Sequence, residues 1–218
     1  MCRFILLKSS KLIKPDRIVN SFADMAKKSK AFDGDWQGDG WGLSWLENSD
    51  WKSYKSIKPI WEDRQYLINF PQTKYFLIHA RSSSFPKHKN NKNYNQPFNN
   101  KKYSYVFNGL LKGVTLSSPG EIGSQKIWNL LKNNLNDTDP KEALNKVNSI
   151  LFNKSRQIQA LNIGLCDQNN IYALCSYSAH PDYYGLHFVE SKDINIICSE
   201  PLRGYCFQSI ASNTVITL

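Results

Sequence analysis

The chain opens Met1-Cys2-Arg3-Phe4-Ile5-Leu6-Leu7, and the rest of the sequence is best read outward from that stretch. Phe4–Leu7 is a continuous apolar run, the pattern of a short strand buried on both faces, which would anchor the terminus in the fold instead of letting it fray. Methionine aminopeptidase generally removes an initial Met that precedes a small residue such as Cys, so removal of Met1 is expected. Cys2 would then carry a free α-amine, titrating near ~8, beside a thiol titrating near ~8.5, which puts a nucleophile and a base in one residue. The plainer reading is that a cysteine near a start codon is simply a small hydrophobe, and position alone does not separate the two.

At 218 residues the chain has the length of one domain with a full core. No apolar run approaches the ~18–20 residues of a membrane helix. Lys8, Lys11 and Lys14 break the pattern of a secretory leader, and the five cysteines form no CxxC pair. An odd count without paired spacing argues against a disulfide framework or a zinc site and for a reducing, cytoplasmic setting with no cofactor. The net charge of +10 raises nucleic acid as a partner. Its lysines are scattered, however, and the densest patch, Lys87-His88-Lys89-Asn90-Asn91-Lys92, lies in an Asn-rich segment without a nucleic-acid module.

Strands are expected at Phe4–Leu7, Tyr66–Phe70, Tyr75–His79, Tyr103–Phe107, Asn162–Cys166, Ile171–Ser176, Tyr183–Glu190, Ile194–Cys198 and Thr214–Leu218. Asn108-Gly109 reads as a turn ending the fourth of these, and Asp167–Asn170 as the tip of a hairpin. Helices are expected at Pro15–Lys28, Ser124–Asn134 and Pro140–Ser155, the last capped by Asp139 with Pro at the first helical position. Strands, then helices, then strands suit an α+β fold whose sheets are covered by helices. Lys87–Lys102 reads as a mobile surface loop around a small ordered knot, Asn95-Gln96-Pro97-Phe98.

Four further segments carry candidate chemistry: Gly38-Asp39-Gly40-Trp41-Gly42-Leu43, His79-Ala80-Arg81-Ser82-Ser83-Ser84, Asn95-Gln96-Pro97-Phe98 and Phe107-Asn108-Gly109. A thiolate attacking an amide generates an oxyanion, and donors placed where that charge develops are worth ~3–4 kcal/mol each. Asn108 offers a side-chain NH2 and Gly109 a backbone N–H. Arg81 suits a bidentate grip on a substrate carboxylate better than a lysine. Taken singly these segments read as a hairpin turn, a solvated charge and a loop; their joint order behind Cys2 points to catalysis.

In these segments the chain resembles the class II glutamine amidotransferases, N-terminal nucleophile hydrolases, and within them the small stand-alone members that begin Met-Cys-Arg. The family's HxR motif and the Thr that follows are matched by His79, Arg81 and Ser84. Its N-x-H-P-F is matched by Asn95, Pro97 and Phe98, with Gln96 in the His place. Its HNG turn is matched by Asn108 and Gly109, with Phe107 in the His place. Its DGWG is matched by Asp39, Gly40, Trp41 and Gly42, and its A-S-E-P-L by Cys198, Ser199, Glu200, Pro201 and Leu202. The resemblance covers essentially all of residues 1–218 as a single domain and leaves no room for a fused synthase.

The resemblance implies a four-layer α-β-β-α sandwich and an amide hydrolase that releases ammonia or an amine from glutamine or a γ-glutamyl compound through a thioester. It implies Cys2 as nucleophile with its α-amine as proton shuttle, and Asn108 and Gly109 as the oxyanion hole. Arg81 would hold the substrate carboxylate beside Ser84, with Asp39 and Trp41 near the substrate, and His79 supporting the turn. A separate synthase or acceptor subunit is the implied partner, in which case the chain would supply ammonia or regulate; a non-catalytic basic binding protein on the same fold is the remaining alternative. One departure stands out. Where the family begins a helix D-S-E or D-T-E, with the Asp holding the substrate ammonium, this chain has Gly123-Ser124-Gln125. Losing that charged partner costs roughly 1.5–3 kcal/mol of ammonium binding. Glu121 is a nearby carboxylate, but takes the place of the Asp only if the loop is re-routed.

Overall fold

The computed structural model describes residues 1–29, 36–63 and 70–218. The first third of the chain supplies β1 (Arg3–Ile13), α1 (Asp16–Lys27), β2 (Trp41–Glu47), β3 (Asp50–Ser56) and β4 (Thr73–Ala80). The middle supplies β5 (Phe98–Asn99), β6 (Ser104–Val114), α2 (Gly123–Leu135) and α3 (Pro140–Lys154). The last third supplies β7 (Ser155–Cys166), β8 (Ile171–Cys175), α4 (Pro181–Tyr184), β9 (Leu186–Val189), β10 (Ile194–Cys198), β11 (Gln208–Ile210) and β12 (Thr214–Thr217). Two antiparallel sheets form among the described residues, in the orders β11-β9-β10-β1-β4-β2-β3 and β12-β8-β7-β6-β5.

The opening apolar run explains where β1 lies. Successive strand residues point to opposite faces, and here both faces are buried. Ile5 and Leu7 pack with α1, Trp41, Phe76 and Ile78. Phe4 and Leu6 pack with Val106, Cys166, Ala173 and Ile197, between the two sheets. A third cluster joins α2 and α3 (Ile127, Trp128, Leu131, Leu144, Val147) to the outer face of the second sheet (Tyr105, Phe107, Ile163, Leu165). Strand β1 therefore runs through the middle of the molecule, paired with β10 on one side and β4 on the other.

The expected helices are found within a residue or two of their limits. Asp139 caps α3 by accepting from the backbone N–H groups of Lys141 and Glu142 at 2.9 and 3.2 Å. Most of the expected strand Tyr66–Phe70 lies outside the described residues.

Three expectations need correction, and one hairpin carried no strand expectation at all. Asn108-Gly109 is not a turn: β6 continues to Val114, because the long strand β7 pairs with it throughout, Asn108 opposite Asn162 and Gly109 opposite Leu161. The glycine serves close approach, since a Cβ at 109 would run into the Ala160 carbonyl. The expected strand Tyr183–Glu190 starts late, because Pro181 initiates the short helix α4 and only Leu186–Val189 is extended. The GDGWG segment leads directly into a hairpin, β2–β3, whose turn residues Asn48 and Ser49 both have positive φ (49° and 67°). Finally, the Asn-rich segment is folded onto the body by the 3-10 turns Pro86–His88 and Lys92–Tyr94 and by the burial of Asn95 and Gln96.

Candidate active site

The registers of β1, β2 and β4 bring three strand ends to one point. Arg3 pairs with Ala80, so one step further places Cys2 beside Arg81. Trp41 also pairs with Ala80, and the next step is closed by the Arg81 N–H donating to the Gly40 carbonyl at 2.8 Å. The Cys2 sulfur receives the Ser82 backbone N–H at 3.4 Å and faces the Ser82 carbonyl at 3.5 Å.

Arg81 is almost fully buried and is held in place by donating to the Asn95 side-chain oxygen (3.4 Å), the Ser83 hydroxyl (3.3 Å) and the His88 carbonyl (2.8 Å). Burial lowers its pKa from the ordinary guanidinium value, opposed by the charges of Cys2 and Asp39. Asp39 secures the same turn. Its carboxylate accepts the Ser83 N–H at 2.8 Å and pairs with Lys89 at 2.9 Å.

Cys2, Arg81, Ser84 and Gly109 line one cavity of about 380 Å³. Its walls include Tyr94, Gln96 and Phe107 and, across from them, Glu121 and Gly123 at the start of α2. The Glu121 carboxylate faces the Tyr94 hydroxyl and raises its pKa. Asn108, Asp39 and Trp41 do not belong to this lining. Trp41 is fully buried and donates to the Asp63 carboxylate at 3.2 Å, packed against Tyr54. Asn108 is buried between two lining residues, Phe107 and Gly109, and neither its side-chain nitrogen nor its oxygen has a hydrogen-bond partner. A buried amide without partners is costly to the fold.

Further contacts shape the site, and not all of them carry a sequence signal. The Ser82 backbone that meets the sulfur carries no side-chain signal. Gln96 occupies both hydrogen-bonding groups of Phe107: its side-chain oxygen accepts the Phe107 N–H, and its nitrogen donates to the Phe107 carbonyl at 3.2 Å. His79 approaches the same carbonyl at 3.3 Å, and burial pulls its pKa down to about 3, so it sits there neutral. Gly42 lets the β2 backbone pass against the Gln96 carbonyl, where a Cβ would collide. Gln37, fully buried just ahead of GDGWG, donates to the Met1 carbonyl at 2.8 Å while its own oxygen has no partner. The Met1 amine donates to the Tyr183 hydroxyl at 2.9 Å.

The five cysteines are unpaired, and no cluster of three metal-ligating side chains occurs among the described residues. No helix among the described residues is long and apolar enough to cross a membrane.

No family model matches the chain, and no curated protein matches it. Solved structures do match. A glutamine aminotransferase class-II domain protein from Silicibacter pomeroyi aligns with a TM-score of 0.69 at 15% identity, over 99% of this chain and 94% of that one. The glutamine phosphoribosylpyrophosphate amidotransferase of B. subtilis aligns with a TM-score of 0.72 at 13% identity; all of this chain covers 47% of that one. A predicted glutamine amidotransferase from Pseudomonas aeruginosa aligns with a TM-score of 0.54 at 13% identity, over 100% of this chain and 93% of that one. At these identities the likeness is one of fold: a mixed α/β chain with two antiparallel sheets, as in glutamine amidotransferase structures.

Proposed function

We propose that the chain is an amide hydrolase of the N-terminal nucleophile type, acting on glutamine or a γ-glutamyl compound with Cys2 as the attacking group. The observation that carries this reading is the convergence of the Cys2 sulfur, the buried Arg81 guanidinium and Gly109 on one cavity, at the start of β1, the end of β4 and the middle of β6. The three stacked core clusters support a four-layer α-β-β-α arrangement for it.

In this reading Met1 is removed first. Its carbonyl leaves with it, so the Gln37 amide, now bonded to that carbonyl, is left beside the new Cys2 α-amine. Arg81 holds the substrate carboxylate, and its three protein contacts fix its orientation before substrate arrives. The thiolate attacks the amide carbon, and the Gly109 N–H and Asn108 amide receive the oxyanion. The carbon–nitrogen bond then breaks, and the departing ammonia or amine takes the proton carried by the Cys2 α-amine. Water attacks the thioester carbonyl, giving glutamate and restoring the thiol. Trp41 and Asp39 act from behind the site: Trp41 as core beneath β2, Asp39 by bracing the Ser83 turn.

The test is Cys2→Ala. Glutamate and ammonia release should vanish while the thermal unfolding midpoint stays near wild type; near-wild-type turnover would overturn the mechanism. A second reading, a subunit that delivers ammonia to a separate synthase, draws on the B. subtilis alignment, in which this fold occupies 47% of a longer chain. A co-purifying chain that raises ammonia release would favour it.

A further inference from the structure

The cavity is far more apolar than glutamine requires. Beyond Cys2 and Arg81 it continues as a trough between β6 and α2, walled by Leu110, Leu111, Val114, Leu116, Ile127 and Leu130. Glutamine carries two methylene groups between its amide and its α-carbon, too few to cover such a wall. Among the lining residues Val114 stays 42% exposed and Phe85 57% exposed. Clustered apolar side chains left open to solvent within a concave site mark a ligand surface.

The trough starts where the resemblance places the ammonium of a free amino acid. Gly123, Ile127 and Leu130 follow one another at helical spacing on one side of α2, so the position of the missing carboxylate leads directly onto the apolar wall. The space beside Gly123 is open, with nothing within 4 Å of where a Cβ would stand. The first turn of α2 contains no acidic residue, and the positive end of a 13-residue helix repels an ammonium but suits a carbonyl oxygen. Glu121 lines the same cavity but is exposed, with its carboxylate engaged by the Tyr94 hydroxyl.

Resting on the proposed thiol chemistry, we infer that the preferred substrate is a γ-amide whose α-nitrogen is acylated by an aliphatic or aryl group. Arg81 takes its carboxylate, the start of α2 takes the acyl carbonyl, and the β6–α2 trough takes the apolar tail.

The experiment separates the subsite from the thiol chemistry. Calorimetry on Cys2→Ala, which cannot react, compares Nα-octanoyl-L-glutamine with L-glutamine. The acylated compound should bind at least ~10-fold tighter, and Leu130→Asp and Val114→Asp, each at a partly exposed position and each made in the Cys2→Ala background, should both remove most of that difference. Gly123→Asp in the same background should shift preference back toward the free amino acid. Equal binding of the two compounds, or tighter binding of glutamine, would overturn the substrate assignment even if Cys2 proves to be the nucleophile. Failure of the thiol reading would show differently, as tight binding of the acylated compound to an unmutated chain that never turns it over.

Discussion

In the proposed mechanism Asn108 is a residue that costs the fold and serves the site. Its amide is buried without a partner for either polar atom. Such a group costs about 1–3 kcal/mol relative to a satisfied one. Truncation to Ala removes that cost along with a donor for the developing oxyanion. Asn108→Ala should therefore keep or raise the unfolding midpoint while lowering kcat by ~10²–10³. A large drop in stability, or an effect confined to KM, would contradict the role.

The residue types at this site were legible: Cys2, Arg81, Ser84 and Gly109 were singled out from sequence and stand around one cavity. What the sequence hid were the Ser82 backbone contact to the sulfur and the clamp that holds Phe107. Ser82 acts through its peptide group, and the Gln96 clamp on Phe107 is visible only once β6 is placed. Trp41, expected near the substrate, is instead drawn into the core by Asp63 and Tyr54.

At the scale of elements, the site depends on β4 and β6 staying in register across the two sheets. His79 on β4 reaches the Phe107 carbonyl on β6 and is buried neutral. Its pKa is about 3 in the fold and 6.5 when exposed. The unfolded chain thus binds a proton below pH 6.5 that the folded chain refuses until about pH 3. Stability contributed by this group is complete above pH 6.5 and is lost as pH falls through that window, by about 1.4 kcal/mol per pH unit at most. Denaturation between pH 7 and pH 4 should show a shallower decline for His79→Gln than for the wild type; parallel curves would mean that His79 does not titrate this way.

Helix positions followed from periodicity and caps, because α1 and α3 each bury one face. The Asn-Gly pair misled because a two-residue turn needs a free strand end, whereas β7 continues alongside β6 past both residues. That contact lies about fifty residues away in sequence, beyond the reach of any local signal.

For the whole molecule, the proposed mechanism presents one thiol among five to substrate. Burial raises the thiols of Cys166, Cys175 and Cys198, that of Cys175 to about 11. Cys206 is exposed but lies outside the cavity lining, and Cys2 lies within it. Selectivity between Cys2 and Cys206 is therefore a direct readout of the site. The decisive measurement is the intact mass of the chain before and after incubation with an electrophilic glutamine analogue, followed by peptide mapping. We predict loss of Met1 and a single adduct on Cys2. A chain that keeps Met1, or an adduct carried by Cys206 with Cys2 unmodified, would contradict the account.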